Sequence, residues 1–160
     1  MKTKQLVLSA LFLAIGLVLP FITGQVPYFG NMLCPMHFPV IIAGIYLGGV
    51  YGGIVGFILP LLRYVLFSMP PIFPAGIAMA FELATYAIAI SLVYKKTNNV
   101  YISLISSMVI GRIVWGIVMY AITQISFTAF ITSAFINAIP GIILQLILIP
   151  LILKLLPKLK

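Results

Sequence analysis

Carboxylates are almost missing from this sequence. Glu82 is the one acidic residue among 160, against nine lysines and arginines. A single carboxylate cannot build a paired-acid site, and it leaves general acid–base catalysis little to work with. Cysteine is as rare: Cys34 stands alone, which excludes an internal disulfide and a thiolate metal cage. His37 is the one histidine, and a lone imidazole without acidic or thiolate neighbours makes a poor metal centre. Also missing are a Gly-rich phosphate loop ending in Lys and Ser/Thr, an H-E-x-x-H helix and a G-x-S-x-G turn. These absences point away from an enzyme, from a nucleotide site in the chain itself, and from a metal or other cofactor.

Charge of either sign is scarce. Only 6% of the residues are charged, whereas a soluble domain carries about 25%. What fills the chain instead is hydrocarbon: 64% hydrophobic residues and a mean hydropathy of +1.30. The chain is therefore read as an integral membrane protein. Its length gives room for about six spans of roughly 20 residues, forming one domain over residues 1–160. The formal charge of +8 forms no basic patch of the kind that binds nucleic acid. The bases sit at the N-terminus (Lys2, Lys4), in one loop (Lys95, Lys96), at the C-terminus (Lys154, Lys158, Lys160) and singly within apolar runs (Arg63, Arg112). That is a positive-inside distribution, which predicts both termini and the KKTNN loop on the cytoplasmic side. The first apolar run, about 17 residues, is longer than a signal-peptide core, so a retained first helix is expected.

Hydropathy and Pro/Gly punctuation predict six helices in an all-α bundle. They run over about Lys4–Ile22, Pro39–Leu47, Tyr51 to the Ser68 turn, Phe73–Tyr94, Tyr101–Ile122 and Ala134–Leu156. The second is short. Segments 23–38, 67–73 and 123–133 become the outer loops, without a lysine, arginine or acid in any of them. Glycines at 44, 48, 49, 52, 53 and 56 predict close backbone packing between helices 2 and 3. Pro60 removes a backbone hydrogen bond one turn before Arg63, and Pro140 and Pro150 fall within the predicted sixth helix.

Glu82 with Arg63 and Arg112 is the main functional clue. A lone charge at that depth costs roughly 2.5–3.5 kcal/mol even on the lenient insertion scale. Glu82 is expected to neutralise one arginine, with Arg112 the nearer match in depth. The other would leave a surplus positive charge suited to a solute bearing a carboxylate or phosphate. Around these three lie further candidate substrate-binding residues: Asn31, His37, Tyr64, Tyr86, Trp115 and Asn137. The competing reading is a buried network that only fastens helices. In helix 1, Ala10 and Ala14 make a small-xxx-small face, for packing within the bundle or for docking another membrane subunit.

The first helix, LVLSALFLAIG, and the block GNMLCPMHFPVIIAGIYLGGVYGGIVGFILPLLRYVLFSMPPIFPAGIAMAFELATY resemble the substrate-binding S components of energy-coupling factor (ECF) vitamin transporters. The likeness extends over essentially the whole chain, and the second block is most similar to the pantothenate-type subgroup. This resemblance implies a six-helix protein of the bacterial plasma membrane that captures a water-soluble vitamin, pantothenate or else a pyridoxine-type vitamin, from outside. It implies as partners a transmembrane coupling subunit, docked on Ala10 and Ala14, and two cytoplasmic ATPases. It also implies that the first outer loop, residues 23–38, caps the bound vitamin. Arg63 would then meet the carboxylate, with Asn31, His37, Tyr64 and Asn137 on amide and hydroxyl groups. A stand-alone channel or uniporter, and a membrane-structural protein that binds no solute, are the readings outside this family.

Overall fold

The computed structural model describes residues 2–23 and 33–155. All of its regular structure among those residues is helical. Helix α1 covers Lys2–Thr23, α2 His37–Leu47, α3 Gly49–Phe67, α4 Ile77–Thr97 and α5 Val100–Thr123. A short α6, Phe127–Ile131, precedes α7, Ile139–Leu155. Five stretches are long and apolar enough to cross a membrane: Thr3–Ile22, Gly49–Phe67, Ile72–Thr97, Val100–Thr123 and Phe127–Leu155. The expected second span is the exception. With 11 residues, α2 rises only about 16 Å, half of a hydrocarbon core.

That short helix is nevertheless the hub. It packs against α1, α3, α4 and α7, and nine of its eleven residues are buried. Its two sides feed two cores. Phe38 and Ile41 join Tyr86, Ile90, Leu104, Met108 and Ile149 on one side. Val40, with Met36 just before the helix, joins Val55, Leu59, Leu83 and Ala87 on the other. Glycine lets the helices come this close. A Cβ on Gly52 would fall 2.7 Å from the Gly44 Cα, and one on Gly44 or Gly56 would strike the α4 backbone at Ala87 or Leu83, each at 2.6 Å. The seam expected between helices 2 and 3 therefore also seats α4, the central long helix, which packs on both α3 and α5.

Several boundaries shift for local reasons. The KKTNN segment is mostly helix: Lys95–Thr97 end α4, and only Asn98 and Asn99 make the turn. Asn98 takes the left-handed conformation (φ 51°) that closes a helix, and its N–H bonds the Tyr94 carbonyl. The Asn99 side chain then accepts from the backbone N–H groups of Tyr101 and Ile102, capping α5. The loop expected at 123–133 contains α6, capped by Ser126, whose hydroxyl accepts from the Ala129 N–H. The last helix begins at Ile139 rather than Ala134, so Pro140 lies in its first turn, where a missing N–H costs nothing. Before α4, the chain turns through Ile72–Gly76, broken at Phe73, rather than entering the helix directly.

Candidate functional site

At the start of α2 the imidazole of His37 is buried, 1% exposed. Glu82 of α4 lies opposite, 2% exposed, and Arg112 of α5 closes the group. The Arg112 Nη1 donor and Glu82 Oε1 are 3.1 Å apart, an ion pair out of reach of solvent. His37 Nε2 lies 3.6 Å from the same oxygen, too long for a hydrogen bond. Arg112 also extends Nη2 to the sulfur of Cys34, 3.6 Å away. Tyr86 sits one turn after Glu82 and presents its ring edge-on to His37, centroids 5.1 Å apart. Gly111 makes room for that ring: a Cβ there would fall 2.7 Å from it.

These helices bring the group together because the first turn of α2, which carries His37, packs beside Glu82 of α4, and Glu82 in turn meets Arg112 of α5. The pairing neutralises both charges in a place where either alone would be costly. It does not satisfy every polar atom. Among the described residues, His37 Nδ1, His37 Nε2 and Arg112 Nε are buried without a hydrogen-bond partner, and Glu82 Oε1 has the ion pair but no well-formed hydrogen bond. An unmade hydrogen bond at such a group costs about 1–3 kcal/mol, so the cluster favours any occupant that supplies acceptors and donors. An apolar cleft of about 120 Å³ touches Arg112, lined also by Met108, Phe135 and Ile142, with neither His37 nor Glu82 in its walls.

The other expected site residues disperse. Arg63 is buried, yet it does not join the cluster: its Nη1 donates to the Leu17 carbonyl of α1 at 2.7 Å. Its guanidinium lies 4.9 Å from the Phe21 ring centroid and 5.5 Å from that of Phe67. Tyr64 is half-buried beside it, and Asn137 is exposed in the turn before α7. Trp115 stacks on Phe130, centroids 6.3 Å apart, beside an apolar cleft of about 370 Å³. That larger cleft has Ile117, Tyr120 and Phe127 in its walls and none of the cluster's residues. Asn31 lies outside the described residues. Cys34 was not foreseen as a site residue; its place three residues before His37 is the one sequence signal that could have suggested it.

The fold is thus that of a multi-pass membrane protein with a buried, incompletely satisfied polar cluster at the head of a short central helix. The chain belongs to the family described as ECF transporter, substrate-specific component, whose model matches residues 4–153. Comparison with curated proteins and with solved structures finds no match. Family membership makes this a substrate-specific transporter subunit rather than an enzyme, with a small-molecule substrate and ECF module partners.

Proposed function

We propose that the chain captures a water-soluble vitamin at the His37–Glu82–Arg112 cluster, and that pantothenate is the leading candidate. The observation that carries this reading is the set of buried, unpartnered nitrogens on His37 and Arg112 beside an ionised pair. Pantothenate bears a carboxylate, an amide and two hydroxyls. Arg112 would take the carboxylate, Glu82 would accept from a hydroxyl, and His37 would meet the amide or second hydroxyl. Asn31 is proposed to add a polar contact from the segment before α2.

The charge balance favours a second reading as well. Glu82 already engages Arg112, so the two charges of the pair cancel. A balanced site suits an uncharged polar ligand such as pyridoxine.

The cleft at Arg112, about 120 Å³, is smaller than a typical ligand pocket of about 300–1,000 Å³. Entry of a vitamin therefore requires the walls around Arg112 to separate. On the orientation read from the lysines, the head of α2 lies toward the outside of a bacterial plasma membrane and both termini lie in the cytoplasm. Ala10 and Ala14 are exposed on α1, available as a docking face for a coupling subunit that works with two cytoplasmic ATPases. Isothermal titration of the detergent-purified protein with pantothenate, pyridoxine and other water-soluble vitamins tests the reading. One-to-one binding of pantothenate supports it, binding of pyridoxine alone transfers it to the second substrate, and folded protein that binds neither overturns both.

A further inference from the structure

The structure assigns Arg63 a role other than the anion contact its sequence position suggested: we propose that it is a positioning residue that pins α1 to the bundle. Much of α1 lies exposed on the flank. Leu6, Val7, Leu11, Val18 and Ile22 are all more than half exposed. Its inner edge is narrow, with Phe12, Leu13 and Leu17 on the second core and Gly16 against Leu59. Arg63 adds a charge-assisted hydrogen bond from α3 to this otherwise apolar contact.

The acceptor lies one turn before Phe21 in α1. Pro20 has no N–H to give the Gly16 carbonyl, and the next carbonyl, that of Leu17, accepts from Arg63 at 2.7 Å. Phe21 of α1 and Phe67 of α3 pack edge to face, centroids 4.8 Å apart, with the guanidinium near both rings. The charge is held by a carbonyl dipole and two π faces, and both rings shield it from the surrounding hydrocarbon. A guanidinium placed this way fixes the rotation of α1 and so the direction in which Ala10 and Ala14 face. Only this last consequence rests on the reading of α1 as a docking helix.

Spin labels at Val7 and Leu92, both exposed, report the position of α1 against α4 by pulsed electron resonance in a Cys34→Ala background. Arg63→Ala should broaden or shift that distance distribution, while vitamin affinity measured by titration changes less than about threefold. Arg63→Lys, which can still donate one hydrogen bond to Leu17, should recover part of the distribution. An unchanged distribution in Arg63→Ala overturns the proposal, as does a tenfold loss of vitamin affinity with α1 in place. Should wild-type protein bind no vitamin, the functional reading fails while the distance measurement still decides the role of Arg63.

Discussion

Two arginines lie within the apolar helices of this protein, and they solve the same problem differently. Arg112 meets a carboxylate, Glu82, at 3.1 Å, in a group that also contains His37, Tyr86 and Cys34. Arg63 meets a backbone carbonyl and two phenyl rings. Neutral partners suffice for Arg63 because it lies one turn from the end of α3, with the Leu17 carbonyl and two rings in reach. Arg112 lies in the middle of α5, and it has the one acid in the chain as its counter-charge. The difference separates recognition from fastening. Among the described residues, the pair at Arg112 leaves buried nitrogens unmet, whereas Arg63 places Nη1 on the Leu17 carbonyl and its guanidinium beside two rings.

The sharpest way to break this contrast is to remove one member of the ion pair. Glu82→Ala or Arg112→Ala should each lower stability by about 3–5 kcal/mol, because the partner remains buried and uncompensated. Thermal unfolding in detergent checks this. His37→Ala should cost less in folding but about 10–100-fold in vitamin affinity by titration, the worth of a hydrogen bond to a charged or polar ligand group. Arg63→Ala should destabilise by about 1–3 kcal/mol, since it strands only a neutral carbonyl, and the same unfolding assay ranks it below Arg112→Ala. Gly111→Ala forces the Tyr86 ring away from α5 and should cost about 1–3 kcal/mol, with a smaller loss of affinity as the His37–Tyr86 contact loosens.

The smallest effect concerns a thiol. Protein packed around Cys34 pushes its thiol above the ordinary value, and Arg112 pulls it only partly back. Less thiolate is then present at neutral pH, so maleimide labelling should be slow there and should climb as the pH is raised. Bound vitamin should slow it further. Fast labelling at neutral pH that vitamin leaves unchanged would remove Cys34 from the site.

Much of the bundle was legible because hydrocarbon runs, prolines and lysine-flanked turns report directly on membrane helices. The glycine seam and the shortness of α2 were legible for the same reason: Gly52 and Gly56 recur at helical spacing after the break, Gly44 precedes it, and Gly48–Gly49 stops the run. The ends of helices were less so. Asn98 and Asn99 cap two helices back to back, and their polar letters read as a longer loop. In the site, Glu82 and Arg112 were legible as expensive charges that needed each other at matching depth. The contact of Arg63 with Leu17 was not, because a backbone carbonyl leaves no mark in the sequence, and Leu17 lies 46 positions away. Trp115 was a candidate substrate-binding residue; its ring is stacked on Phe130, a partner from a segment expected to be loop.

The central claim is that the Glu82–Arg112 pair, with His37, recognises a solute rather than merely joining helices. Replacing both charges together, Glu82→Met with Arg112→Met, tests it most directly, since a buried pair exchanged for apolar residues usually leaves stability intact or improved. Titration of wild type and this double variant with pantothenate and pyridoxine should give one-to-one binding in the first and none in the folded second. Equal binding by both proteins would contradict the account and leave the pair a fastening between α4 and α5.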